Sequence, residues 1–475
     1  MRPPHAPAAS PSHVPVSTRA AASLFACALL ASCAAHAAPT PGPATESGPL
    51  TGRWVVTTEQ FGIPRYFVMT LVQSGTKLTG DFDGDTLEGT FDKGAFSFHA
   101  KDTRGGYEDG KGTLKGGALT GSIVLYFSND VVTPVSSALT ATRVQRRASA
   151  TPQRHEFTPS VFHRQFSPLN KPVLTIFPGD TLHTTTVDAG GFDETGVQRS
   201  AGGNPQTGPF YVEGVMPGDT LVVHIDKLAT NRDYAISDDG LVPRAMSPDT
   251  ALMAKDLGAD LRWHLDAKTG LATSGKPGPH TASYTVPLKP MLGCIATATP
   301  PGRAPPQTQD SGEYGGNLDF NEITQGATVF LPVRNPGALL YFGDGHAAQG
   351  DGELNGNALE TSLDVEVTVD VIPGKQPQGV RVENETHVMS LGYAGSLDDA
   401  FREATENMAG WLKDEYKLTP SEVAQVLGTA AEYKVTEVAD RNAGVVLTVN
   451  RERLKTVTKV VEAPKADAPK PPGAP

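Results

Sequence analysis

Between residues 51 and 145 the chain is cut into short apolar runs by Gly and Asp. Trp54-Val55-Val56, Tyr66 to Val72, Ala95-Phe96-Ser97-Phe98, Ala118 to Val124 and Ser137 to Thr142 are each followed by turn residues. Runs this short suit strands better than helices, and their spacing predicts a small antiparallel sheet or barrel. The same punctuation extends over the whole chain, with 50 glycines and 39 prolines in 475 residues. Only 19% of residues are charged, which excludes a coiled coil. The net charge of -12 argues against non-sequence-specific nucleic-acid binding, which needs a basic face. Asp81-Phe82-Asp83-Gly84-Asp85 looks like the start of a calcium loop. An EF-hand needs Gly at its sixth position and Glu at its twelfth, whereas Thr86 and Asp92 stand there, so a hairpin turn is expected.

Arg19 precedes an apolar run, Ala20 to Ala35, that is short for a membrane span and reads as a signal-peptide core. Residues 1–37 are therefore expected to be a signal peptide with cleavage near Ala35-His36-Ala37, and the protein to be exported. Leu30-Ala31-Ser32-Cys33 resembles a lipobox that would anchor a lipid at Cys33, so a lipid-anchored or soluble periplasmic protein, or a secreted one, is expected. Beyond Cys27 and Cys33 the only cysteine is Cys294, which excludes an internal disulfide and a thiolate metal cluster. Its apolar setting reads as a buried hydrophobe rather than a nucleophile.

Residues 38–50 read as a linker, 51–145 as the small β domain and 143–155, with Arg143, Arg146, Arg147 and Arg154, as a connection. The main domain is expected over 156–460, with a disordered Pro-rich tail at 461–475. Pro178-Gly179-Asp180-Thr181-Leu182 is echoed by Pro217-Gly218-Asp219-Thr220-Leu221, each a type II turn leading into a strand. Leu363 to Ile372 alternates Val365, Val367, Val369 and Val371 on one face. Helices come late. Ser396 caps one with an apolar stripe of Leu397, Ala400, Phe401, Ala404, Met408, Trp411 and Leu412, and Thr419-Pro420-Ser421-Glu422 is the capping box of a second.

Two stretches carry chemistry. One is Glu313 to Asp319. The other, Gly343 to Glu353, holds three acids, one His and one Gln among four glycines in eleven residues. Crowded carboxylates raise one another's pKa unless a cation or proton relieves the repulsion. Oxygen and imidazole ligands without thiolate suit zinc, manganese, calcium or magnesium. An Asp-Gly hairpin with a solvated acidic loop fits the composition equally well.

The segments Pro178 to Thr181 with Asp188 downstream, Thr207 to Gly214, Pro217 to Leu221, Pro290 to Ile295, Gly315 to Asp319 and Gly343 to Glu353 resemble the acetamidase/formamidase family, over roughly residues 156–455. Residues 51–145 and the export signal have no counterpart in its usual members. The resemblance implies a mainly β (α+β) fold, an acetamidase/formamidase-like β-rich domain with C-terminal helices behind a small antiparallel β domain. It implies hydrolysis of a small linear amide, such as formamide or acetamide, to acid and ammonia, with dependence on a divalent metal, zinc or calcium. On that footing Asp188, Asp319, Asp344, His346 and Glu353 are the expected metal ligands. Glu353, Asp351 and His346 are the expected catalytic residues, with Glu353 as general base. Asn317, Gln349 and Gly316 are expected to bind substrate. A homo-oligomer is plausible for such a domain. The competing function is a non-catalytic ligand- or calcium-binding protein derived from an amidase fold.

Overall fold

The computed structural model describes residues 48–128 and 130–459. The signal-peptide reading of 1–37, the Cys33 anchor, most of the 38–50 linker and the Pro-rich tail lie outside the described residues.

Eight antiparallel strands, Gly52–Gln60, Ile63–Ser74, Lys77–Phe82, Asp85–Asp92, Ala95–Lys101, Tyr107–Lys115, Ala118–Phe127 and Asp130–Arg143, form a closed barrel. Each pairs with the next, and the last returns to the first with Trp54 opposite Arg143 and Thr58 opposite Leu139. Closure removes exposed sheet edges. Along Ala95–Lys101 the residues Phe96, Phe98 and Ala100 are buried while their neighbours are exposed. With Trp54, Met69, Leu78, Phe82, Leu87, Ile123 and Leu139 they fill the barrel. The acidic Asp81–Asp85 segment is the turn between the third and fourth strands.

The connecting segment is packed down. Val144 donates its N–H to Arg53 at 2.8 Å. Arg147 Nη1 meets Asp180 Oδ1 at 2.6 Å, and the same carboxylate accepts from Gln153 and Phe177 backbone N–H groups. Asp219 likewise accepts from Met216 and Gly374. Both Pro-Gly-Asp aspartates thus tie down turns, as their position in the repeat suggests.

The rest of the described chain builds a nine-stranded and an eleven-stranded sheet. The strand Leu363–Ile372 lies between Thr181–Thr185 and Thr220–Thr230 in the nine-stranded sheet. Its Leu363, Val365, Val367 and Val369 pack in one core with Val223 and with Leu292, Ile295, Leu340 and Phe342 of the other sheet. The helix Leu397–Tyr416 covers strands His387–Ala394 and Ala443–Asn450, with Ala400, Ala404, Met408 and Leu412 packed on Val388, Val445, Leu447 and Val449. Ser396 caps it, and Thr419 and Glu422 complete the capping box of Pro420–Ala430. The apolar stripe differs from expectation at one end: Leu397 and Phe401 are exposed, and Phe401 stacks on Tyr433 at 4.3 Å instead of entering the core. No helix among the described residues is long and apolar enough to cross a membrane.

In the eleven-stranded sheet Glu360–Thr361, Leu340–His346, Met291–Thr297 and Gly315–Asn317 lie side by side in that order. This run of four strands positions the site.

Candidate metal centre and active site

The strand period of two puts Asp344 and His346 on the same face, while Gly345 turns to the other. There a Cβ on Gly345 would lie 2.4 Å from Leu363 Cγ. Cross-strand pairing sets Glu360 opposite His346 and Asn317 opposite Cys294. Gly293, between Leu292 and Cys294, lies beneath the carboxylates; a Cβ there would be 2.7 Å from both Asp319 Oδ1 and Asp344 Oδ2. Asp319, Asp344 and Glu353 all adopt left-handed backbone conformations, with φ of 39°, 56° and 44°. Such conformations cost energy for residues with a side chain and cluster at functional sites.

The ligand atoms of Asp319, Asp344 and His346 lie within 4.8 Å of one another, and those of His346, Glu353 and Glu360 do likewise. His346 Nε2 is 3.8 Å from Asp319 Oδ1, 3.8 Å from Asp344 Oδ2 and 3.2 Å from Glu360 Oε1. All five side chains are buried. The tautomer of His346 follows from its neighbours. Gln349 Nε2 donates to Asp319 O and Thr436 O, which leaves Gln349 Oε1 to accept from His346 Nδ1 at 2.8 Å. A neutral imidazole then presents the Nε2 lone pair to carboxylate oxygens.

That arrangement is repulsive unless something positive occupies its centre. Asp319 Oδ1, Asp344 Oδ1, His346 Nε2 and Glu360 Oε2 are buried without a hydrogen bond. Burial, then the neighbouring Asp344 charge, drives the Asp319 carboxyl well above its usual range. Burial and Glu360 do the same to Asp344, and burial and Asp319 to Glu353. Burial pulls the His346 imidazole down, but Glu360, Asp344 and Asp319 outweigh it and the net shift is strongly upward. Without a cation the three carboxyls resist ionisation, while the imidazole is drawn toward its protonated form. Orphaned oxygens, a free imidazole lone pair and a glycine floor fit a divalent ion with oxygen and nitrogen ligands.

Residues 298–390 match the Acetamidase/Formamidase family. A formamidase from Methylophilus methylotrophus is 24% identical over 338 residues, 56% of this chain and 81% of that protein. An acetamidase from Mycolicibacterium smegmatis is 33% identical over 151 residues, 30% of this chain and 34% of its own length. The solved acetamidase of Yersinia enterocolitica superposes with a TM-score of 0.55 at 27% identity, covering 65% of this chain and 94% of that one. That of Bacillus halodurans gives 0.54 at 26%, covering 64% and 99%. The main domain is acetamidase/formamidase-like.

Within this acetamidase/formamidase-like domain, Asp319, Asp344, His346 and Glu353 of the expected ligands come together, and Asp188 does not join them. Its carboxylate takes Arg232 Nη2 at 2.7 Å and the Phe192 N–H at 2.8 Å, because the buried guanidinium needs a counter-charge. Arg232 in turn donates to Glu360 O, so Asp188 stands one layer behind the cluster. Asp351, expected to be catalytic, is exposed and accepts from Asn321 Nδ2 at 2.8 Å. Asp351 stands in a turn beyond the strand, and left-handed backbone at Gly352 and Glu353, with φ of 89° and 44°, sends Glu353 inward while Asp351 stays in solvent. Gly316 is glycine because a Cβ would strike Asp310 O at 2.2 Å; packing of the strand Ser311–Gly312 accounts for it. Gln349 orients His346. The His163, His183 and His224 rings lie outside the cluster: His183 bridges Glu156 and Asp364, and His224 meets Thr328.

Asn317 borders the cluster. Its Oδ1 accepts from Asn204 Nδ2 at 2.8 Å and from the Cys294 thiol at 2.7 Å, and its Nδ2 donates to Asp319 and Asp440. Burial, reinforced by Asp344, pushes the Cys294 thiol well up, so it is a hydrogen-bond donor rather than a nucleophile. Four members of the site were missed from sequence: Asn204, Glu360, Glu437 and Asp440. Asn204 and Asp440 lie in polar turns that look like ordinary punctuation. Glu360 opens a two-residue strand and Glu437 ends one, and only pairing across the sheet or to Gly352 brings them in.

Proposed function

We propose that the protein hydrolyses the carbon–nitrogen bond of a small linear amide, of formamide or acetamide size, giving the acid and ammonia. The observation that carries this reading is the two buried groups that share His346, Asp319–Asp344–His346 and His346–Glu353–Glu360, each with its ligand atoms within 4.8 Å of one another inside the family-matched segment. Asp319, Asp344, His346, Glu353 and Glu360 would hold a divalent cation, zinc or calcium. When bound, such an ion polarises a carbonyl and lowers the pKa of water. Glu353 is buried, and in its carboxylate form, which the charge of a bound cation would favour, it takes the proton of the attacking water. It returns that proton to the nitrogen as the carbon–nitrogen bond breaks. Asn317, with its amide orientation fixed by Asn204 and Cys294, offers Nδ2–H to the developing oxyanion.

Ammonia release from formamide, acetamide and longer amides, measured beside bound-metal content, tests this. Turnover should vanish on chelation, and Glu353→Gln should lower kcat by roughly 10² to 10⁴. An intact fold that binds metal but turns over no amide favours the non-catalytic ligand- or calcium-binding reading. Turnover that survives complete metal removal keeps the hydrolase and removes the ion. The apolar run Ala20 to Ala35 supports export, which cell fractionation tests.

A further inference from the structure

The turn that joins strands Ala431–Glu437 and Ala443–Asn450 lies against the cluster and is not idle. It is fastened to the Gly343–Glu353 segment by Gly352 N–H to Thr436 O and Val438 N–H to Gly352 O, both at 3.0 Å. Asn442 Nδ2 donates to Ser311 O at 2.8 Å, and Arg441 pairs with Asp310 at 2.9 Å. The turn delivers two further carboxylates. Glu437 is fully buried; its Oε2 accepts from the Asp440 N–H at 3.2 Å while its Oε1 has no hydrogen-bond partner. Asp440 Oδ2 accepts from Asn317 Nδ2 at 2.5 Å.

A buried carboxylate oxygen with no donor is costly, and a bound donor relieves it. The same turn carries Asp440, whose Oδ2 takes a donor of fixed direction. Asn317 cannot reverse its amide, because Asn204 and Cys294 both donate to its Oδ1. The Nδ2–H that now rests on Asp440 is the group a carbonyl oxygen would use. One donor followed by two carboxyls of one turn, which only accept once a bound cation favours their ionised forms, is the complement of an unsubstituted amide, whose oxygen accepts and whose nitrogen carries two N–H bonds.

Resting on the amide-hydrolase reading, we infer that Glu437 and Asp440 form the nitrogen side of the substrate pocket. Their carboxylates accept the N–H bonds of a primary amide and select it over N-substituted amides. Asp440 exchanges its contact with Asn317 for one with the substrate nitrogen when the amide enters.

The test uses the full chain with acetamide and N,N-dimethylacetamide. Steady-state rates are measured on the unsubstituted protein, and binding of both amides by calorimetry on Glu353→Gln. Asp440→Ala should cut the preference for acetamide by about ten- to a hundredfold, mostly through KM, and leave dimethylacetamide binding unchanged. Asp440→Asn keeps an acceptor oxygen and should recover part of the loss; it also decides the matter if the alanine variant does not fold. Equal losses on both amides, or no change on either, overturn the inference. Hydrolysis without any sensitivity of the preference to these substitutions defeats this inference alone. Selective acetamide binding that Asp440→Ala abolishes, without turnover in the unsubstituted protein, defeats the hydrolase reading and leaves this one standing. Absence of both binding and turnover defeats both.

Discussion

At the scale of single residues, Gly293 decides whether the carboxylates can converge. Its missing Cβ leaves space within 2.7 Å of two carboxylate oxygens and 2.9 Å of Asp344 O. An added methyl group there must displace Asp344 or Asp319, whose left-handed backbones leave them little freedom to adjust. Gly293→Ala should therefore abolish tight divalent binding and turnover while the far-UV circular dichroism spectrum stays that of the native sheet. Retention of stoichiometric metal in that variant would show that the carboxylates do not converge over Gly293. Cys294, the next residue, illustrates how a group can matter without reacting. Its thiol serves by donating to Asn317 Oδ1, which fixes the direction of an amide whose other end faces the site.

At the scale of elements, alternation and capping signals in the sequence were sufficient wherever the physics is local. The period of two in Leu363–Ile372 reports a strand with one face in a core, and Ser396 and Thr419 mark helix starts that the structure reproduces. Local signals misjudge Phe401, because Ala400 and Ala404 take the core-facing positions of this end of the helix and Tyr433 offers an aromatic partner outside. The dense run Gly343 to Glu353 announced Asp344, His346 and Glu353. It could not announce Glu360 or Asp440, since those reach the cluster through strand pairing and a distant hairpin. Asp188 was misplaced for the same reason: its partner Arg232 is 44 residues away and invisible to spacing. The helix itself gives a check on this layer. Met408 is fully buried between the helix and strands His387–Ala394 and Ala443–Asn450. Met408→Ala should cost about 2 to 5 kcal/mol, read as a lower midpoint of denaturant unfolding. A loss under 1 kcal/mol would mean that this interface collapses around the deletion and contributes little.

At the scale of the whole molecule, the site makes the metal-free protein sensitive to pH in a direction opposite to ordinary acid denaturation. Burial, with the Asp440 charge beside it, pushes Glu437 up to about 8. Asp319, Asp344, Glu353 and His346 are shifted upward as well. A group whose folded pKa is raised keeps its proton in the folded state at pH values where the unfolded chain has lost it. Folding then binds more protons than unfolding, and stability falls as pH rises through that window. The window opens near the unfolded carboxylate value and runs up to about 8 for Glu437. Asp180 and Asp193 have the opposite sign: burial raises them, but their hydrogen bonds outweigh it and hold them below their usual value. Their contribution is lost only in more acidic solution, below that window. Each retained proton carries a slope of up to about 1.4 kcal/mol per pH unit. The chelated protein should thus melt at a higher temperature at pH 5 than at pH 8. Divalent ion should remove or invert that difference, because it binds the deprotonated ligands and stabilises the fold that holds them. Scanning calorimetry at the two pH values, with and without ion, measures both effects. A chelated protein whose melting temperature is flat or rising between pH 5 and pH 8 would mean that the buried acids are already neutralised by pairing within the protein. A cation at the centre of the cluster would then relieve no electrostatic repulsion.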